Sequence, residues 1–336
     1  MTDRASPDAR GSSSRPSAVA VGRRVPDFFI VGHAKSGTTA LYEMLRRHPQ
    51  IYMPVGKEPW FFASELHERT PPRPEGTPKT LDEYLALFDD AAEDQRAGEA
   101  SPLYLWSRSA AGAIAQVQPD ARIIAILREP ASFLHSLHLQ FVKSYIETEA
   151  DFRKALALEG PRRRGERIPR YTYWPQALLY SDHVRYVEQL RRYRDAFSAE
   201  QMLVLIYDDF RRDNEGTVRA VARFLEVDEL SSVPVMEANP TARVRSQRLH
   251  QLVHAVSVGR GPLSLKVKTA VKAVAPRRLR RGALLATQSR VLFGEPRAPE
   301  ESLMQELRRR FKPEVVALSD YLDRDLVALW GYDKLA

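Results

Sequence analysis

The chain has 336 residues, 43% of them hydrophobic and 28% charged, with a net charge of +8. This length and balance allow one large α/β domain or two smaller ones and argue against a wholly disordered chain. The absence of cysteine excludes disulfides, thiolate nucleophiles and cysteine-ligated zinc.

Residues 1–25 are rich in Ser, Arg, Pro and Asp and read as a disordered tail. They hold no apolar run of signal-peptide length. Nothing in the chain approaches the roughly 18–20 consecutive apolar residues of a membrane span, so a soluble, cytoplasmic protein is expected. Residues 26–336 are expected to form a single domain, with a helical C-terminal part from roughly 246 to 336.

Asp27–Val31 reads as a buried parallel strand, broken by Gly32–Gly37. A helix starting at Thr38 or Thr39 runs through Leu41, Met44 and Leu45 and stops near His48-Pro49, where His48 can cap the helix end. Leu81, Tyr84, Leu85 and Phe88 recur at helical spacing. Glu99–Leu105 is a short extended segment or turn. Arg122–Leu127 is a second buried strand, and Pro130 opens a helix reaching about Ile146. Residues 160–170 carry five arginines and one Glu and read as a basic loop. Val184, Val187, Leu190 and Phe197 mark a helix, Met202–Tyr207 a third buried strand, and Val218, Val221, Phe224 and Leu225 the helix after it. Residues 260–281 hold eight cations and no acid. They form a solvated basic face, or a surface for an anionic acceptor or an anionic membrane. An amphipathic helix from about Pro313 to Leu329 closes the reading. Strands alternating with helices predict a P-loop-NTPase-like three-layer αβα fold, with a central parallel sheet and added C-terminal helices.

Gly32-His33-Ala34-Lys35-Ser36-Gly37-Thr38-Thr39 lies between a predicted strand and a predicted helix. There, main-chain N–H groups and a helix N-terminus make an anion site. Gly32 and Gly37 have Walker A spacing, but Thr38 stands where that motif has Lys, and the lysine has moved upstream to Lys35. A lysine there meets the first phosphate and whatever is attached to it. A second anion contact can come from Arg128 at a strand end and Ser136 two turns into the next helix.

These two sites together resemble the sulfotransferase superfamily that uses 3′-phosphoadenosine 5′-phosphosulfate (PAPS). The resemblance covers roughly residues 26–250. It rests on D-F-F-I-V-G-H-A-K-S-G-T-T at 27–39, H-P-Q-I at 48–51, K-E-P-W-F-F at 57–62, E-A-S-P-L-Y at 99–104, I-L-R-E-P at 126–130 with Ser136, Y-D-D-F at 207–210 and F-L-E-V at 224–227. The K-E-P-W-F-F segment is closest to the carbohydrate-type and bacterial branches. The resemblance implies that Lys35, Ser36, Gly37, Thr38 and Thr39 cradle the 5′-phosphosulfate and that Arg128 and Ser136 hold the 3′-phosphate. It also implies that Lys35 stabilises the leaving phosphate without a metal, 3′,5′-bisphosphoadenosine (PAP) being the product. Phe133 stands where many relatives carry a further Arg. A late basic segment, 238–248, with Arg243, Arg245 and Arg248, is the candidate to close over the nucleotide.

Glu58 matches the acidic position that the carbohydrate-acting branch uses as general base. It can instead simply pair with Lys57. His33, His67, His135 and His138 are chemical rivals for that role. Trp60, Phe61 and Phe62 either wall an acceptor pocket or belong to the core. Glu99, Ser101 and Tyr104 are expected in the same cleft. Ala100 stands where some relatives have a second lysine, so no second cationic catalyst is expected there. The expected acceptor is a hydroxyl of a sugar, glycolipid or secondary metabolite, with no nucleic-acid partner. The rival reading is a P-loop kinase or NTPase using ATP and Mg²⁺, with Asp208 or Asp209 as the metal-binding acid.

Overall fold

The structure, a computed structural model, describes residues 23–66, 77–169, 172, 174–229, 243–244, 293–294 and 298–335. His67, Arg245, Arg248, most of the expected tail and the basic segment 260–281 lie outside them.

Five parallel strands form the central sheet in the order β2-β3-β1-β4-β5. They are β1 Phe28–Ile30, β2 Ile51–Tyr52, β3 Arg96–Ala100, β4 Arg122–Leu127 and β5 Met202–Ile206. Alternation along the strands feeds two cores. Phe28, Ile30, Ile124 and Ile126 pack against α1 (Thr38–Leu45) and α9 (Asn214–Leu225). Phe29, Val31, Ile123, Ala125 and Leu127 face the opposite layer. That layer includes α3 (Ala110–Val117), α4 (Pro130–Lys143), α7 (Tyr186–Arg194) and α10 (Glu301–Leu322). Apolar residues on both faces of a strand require helices on both sides, and this is the three-layer arrangement the alternating pattern predicts. Both β1→β2 and β3→β4 run to opposite sides of the sheet, so the switch point opens at the carboxyl ends of β1, β3 and β4.

The remaining helices are α2 (Leu81–Leu85), α5 (Phe152–Ala157), α6 (Glu159–Arg163), α8 (Tyr207–Arg212) and α11 (Leu326–Leu329), and a short antiparallel pair joins β6 (Arg243–Val244) to β7 (Phe293–Gly294). β6 lies against α4, which brings the backbone of residues 243 and 244 beside the helix that carries Ser136.

One expectation is sharpened and two need correction. The segment around Glu99 is a true strand, followed by a 3₁₀ turn at Pro102–Tyr104. The C-terminal helix begins at Glu301 rather than at Pro313, which sits inside it and removes one i→i−4 hydrogen bond. Residues 160–170 are not simply a basic loop, because Glu159–Arg163 is helical and its arginines are used by the fold. Arg162 is buried and forks onto Glu147 at 2.7 and 2.8 Å. Arg163 pairs with Asp182 and Arg164 with Glu166. Glu147→Ala leaves the Arg162 guanidinium buried without its counter-ion. It is expected to lower stability by about 3–5 kcal/mol, read from the urea midpoint.

Candidate functional site

The loop after β1 is pinned tightly to its neighbours. His33 N–H donates to Ile126 O at 3.1 Å, extending the β4 ladder. A Cβ on Gly32 would come within 1.9 Å of the Ile126 backbone, so only glycine lets the chain pass so close. Gly37 turns the chain into α1 with φ 86°, and a Cβ there would meet the Phe210 ring at 2.8 Å. Having no side chain, Gly37 cannot cap the first turn of α1, and no acidic residue lies in that turn. The N–H groups there keep their positive end of the dipole for an anion. Ser36 is fully buried, and its Oγ has no partner among the described residues. Thr38 is buried beside it and Thr39 half-buried.

Lys35 sits in this loop with a left-handed backbone, φ 64°. Burial lowers its pKa, and the neighbouring charges of Lys143, Arg128 and Lys57 lower it further. Four cations therefore crowd one cradle. Their mutual repulsion is relieved by an anion, which gives the site its sign and its selectivity.

Arg128 follows β4. Its Nη1 donates to Lys35 O at 2.9 Å and its guanidinium lies 4.8 Å from the centre of the Tyr207 ring. Tyr186 Oη donates to Arg128 O at 2.9 Å. The next residue, Glu129, caps α4 by accepting from Ala131 and Ser132 N–H. Ser136 is buried on that helix. Arg128 thus joins the loop and α4, the two elements expected to hold the two ends of the nucleotide.

The acceptor side is built on β3 and on the segment after β2. Glu58 N–H donates to Ala100 O at 3.1 Å, and Trp60 N–H to Ser101 Oγ at 3.3 Å. Glu58 and Trp60 both have left-handed backbones, φ 66° and 50°. With Lys35, three non-glycine residues of the site occupy a region that ordinary side chains avoid, as backbones held for function often do. Glu58 is half-buried and bonded to the Lys57 ammonium. Phe62 is core, packed edge-on to Phe29 and Tyr84. Phe61 stacks on Tyr84, and half-buried Trp60 meets Trp174 edge-on at 5.0 Å. Glu99 and Tyr104 are buried beneath them, and Tyr104 Oη donates to Glu99 Oε2 at 3.2 Å.

The other expected contributors serve the scaffold. His33 is buried, stacked on Phe133 at 4.6 Å and bonded through Nε2 to Gln189 of α7. Burial pushes its pKa down to about 3, so it is neutral. Phe133, at the position where many relatives have Arg, packs on the loop histidine. His135 is pushed down to about 4, chiefly by burial. His138 bonds Tyr180 and Ala150 O. His48 joins the end of α1 to Asp228 O and to Gln50 N–H. Asp208 accepts from Trp330 Nε1 at 2.9 Å and Asp209 pairs with Arg324, so both acids fasten the C-terminal helices. Sequence reasoning missed Lys143. It follows Ser136 by two helical turns on α4, a spacing that marks one face.

Comparisons with known proteins identify the family and the fold. The profile described as "Sulfotransferase family" matches residues 26–231. The crystal structure of a sulfotransferase from Alicyclobacillus acidocaldarius is 29% identical, covers 91% of this chain and 98% of that chain, and superposes with a TM-score of 0.64. Carbohydrate sulfotransferase 15 of Mus musculus is 26% identical over 286 residues, covering 66% of this chain and 48% of its own length. Heparan sulfate glucosamine 3-O-sulfotransferase 6 of Homo sapiens is 34% identical over 123 residues, covering 36% of this chain and 32% of its own. The chain thus spans about half the length of the curated relatives it matches over the longest stretch.

Proposed function

The chain belongs to the sulfotransferase family, and from that premise we propose that it transfers the sulfuryl group of PAPS to a hydroxyl of a sugar-bearing acceptor. The observation that carries the reading is the loop itself. Its lysine lies upstream of Gly37, its buried Ser36 hydroxyl lacks a partner among the described residues, and its cations repel one another. A donor with phosphates at both ends of the ribose satisfies each of these features. When bound, it supplies an activated sulfuryl group and a phosphate able to leave.

The chain's own residues do the rest. Ser36 Oγ and the N–H groups of Gly37, Thr38 and Thr39 bind the 5′ end. Lys35 neutralises the charge that grows on the leaving oxygen. Arg128 and Ser136 grip the 3′-phosphate, and Arg128 ties that grip to the loop through Lys35 O. Glu58 takes the acceptor proton. Trp60 and Phe61 shield the transfer from water. The names of the carbohydrate and heparan sulfate relatives support a sugar hydroxyl as acceptor.

Calorimetry tests the donor directly. PAP is expected to bind well and AMP about 10- to 100-fold more weakly, since AMP lacks the charge-assisted contacts of the 3′-phosphate. Arg128→Ala is expected to erase most of that preference. Tighter binding of ATP with Mg²⁺ than of PAP would refute the reading.

A further inference from the structure

One face of α7 reaches three parts of the site. Tyr186, Gln189 and Tyr193 are spaced i, i+3 and i+7 along it, and each is at most 1% exposed. Tyr186 Oη donates to Arg128 O and Tyr193 Oη to Tyr104 O, both at 2.9 Å. Between them Gln189 meets His33 Nε2 at 2.8 Å, in the loop that follows β1. The start of α7 is held in turn by α10, whose Glu314 carboxylate accepts from Val187 N–H at 2.9 Å. A glutamine on a buried helix face is unfavourable unless its polar atoms are bonded, and a leucine would fill the place without that demand.

The hydrogen bonds around Gln189 fix which nitrogen of His33 carries the proton. Gln189 Nε2 donates to Asp182 O at 3.3 Å and to His183 O at 3.1 Å, so Oε1 is the atom that faces His33. That oxygen can only accept, which puts the His33 proton on Nε2. The other tautomer would set two lone pairs against each other. The ring lies on Phe133 at 4.6 Å and against Tyr186 at 4.7 Å, and the main-chain N–H of His33 is tied to Ile126 O. His33 therefore joins β4, α4 and α7 where the loop leaves the sheet, two residues before Lys35 and three before Ser36.

We propose that His33 and Gln189 are a positioning pair for the donor: the bond from His33 Nε2–H to Gln189 Oε1 sets the loop at one height against Arg128, so that the 5′ cradle and the 3′-phosphate grip match one nucleotide. The inference rests on the loop being the cradle of the donor's 5′ end. Tyr186 holds Arg128 O from the same helix, one turn earlier, so α7 spaces the two anion contacts. A loop without the His33 bond keeps its glycines and its main-chain amides but loses its fixed distance from Arg128. Such preorganisation matters most for a ligand gripped at both ends.

Calorimetry of the full chain with PAP, AMP and adenosine 3′-phosphate tests this. His33→Phe keeps a ring against Phe133 and Tyr186 but removes the donor. The gain from the 5′-phosphate, PAP over adenosine 3′-phosphate, should then fall about tenfold. The gain from the 3′-phosphate, PAP over AMP, should stay within about twofold of the parent, because Tyr186 still holds Arg128. His33→Gln restores an N–H that can reach Gln189 Oε1, and should bring the 5′ gain back to within about threefold of the parent. A role in packing alone predicts the opposite order, with the ring-keeping Phe variant faring better than Gln. Two-bond ¹H–¹⁵N spectra of the unsubstituted chain carry the test if the variants do not fold. The His33 proton should sit on Nε2, and a proton on Nδ1 overturns the proposal. With PAP binding by the parent intact, an unchanged 5′ gain in His33→Phe, an equal fall in both gains, or His33→Gln faring worse than His33→Phe overturns the proposal alone. A parent that gains nothing from the 5′-phosphate overturns the donor reading, and the positioning pair falls with it.

Discussion

Glu58→Gln is expected to lower kcat by about 10²–10⁴-fold while PAP affinity stays within about twofold, the usual range for removing a general base. The amide keeps the shape and much of the hydrogen bonding of the carboxylate but cannot take a proton. The left-handed backbone at Glu58 and its N–H bond to Ala100 O do not depend on the side-chain charge, so the segment should keep its path. Stopped-flow turnover with saturating PAPS, set beside a PAP titration, separates the two effects. Turnover within tenfold of the parent would remove Glu58 from the chemistry and leave it as the counter-ion of Lys57.

Lys35→Ala is expected to cost on the order of 10²–10³-fold in kcat, with a smaller loss of PAP affinity. In the proposed reading the ground-state nucleotide also meets Ser36, the helix N-terminus and Arg128, so binding is shared among several groups. In that reading the charge that grows on the leaving oxygen has Lys35 as its partner. The backbone at Lys35 is held by a φ of 64° and by the bond from Arg128 to its carbonyl, which fixes where the side chain starts before any ligand arrives. Single-turnover rates with radiolabelled PAPS read the chemical step alone. An unchanged rate would mean that the charge is met by another cation of the cradle.

Much of this fold is written in local sequence. β1, β4 and β5 are apolar runs that need burial on both faces, and the two glycines and the lysine between β1 and α1 reveal the anion loop. β3 could not be read that way. Arg96-Ala-Gly-Glu-Ala100 has no β-branched residue, because its small side chains make room for large rings next door. A Cβ on Gly98 would lie 2.1 Å from the Phe28 ring. Pro313 misled for a similar reason. A helix start is its favoured place, yet the buried stripe Leu303, Met304, Leu307, Phe311, Val315 and Leu318 carries α10 straight through it. In the site, Lys35, Arg128 and Glu58 could be named from spacing and resemblance. The closeness of Lys57 to both Lys35 and Glu99 could not, because it depends on the turns at Glu58 and Trp60, which no residue preference announces.

The C-terminal helices do more than cover a sheet face. Tyr332 Oη donates to Glu129 Oε1 at 2.6 Å, Trp330 donates to Asp208, and Arg324 pairs with Asp209. Glu129 adjoins Arg128, and Asp208 adjoins the Tyr207 ring on which Arg128 rests. Residues 324–332 therefore act as a latch behind Arg128, the residue proposed to grip the 3′-phosphate. Proteolytic trimming at this latch, or a fusion partner grafted into it, would loosen the grip on the donor well before it unravelled the sheet.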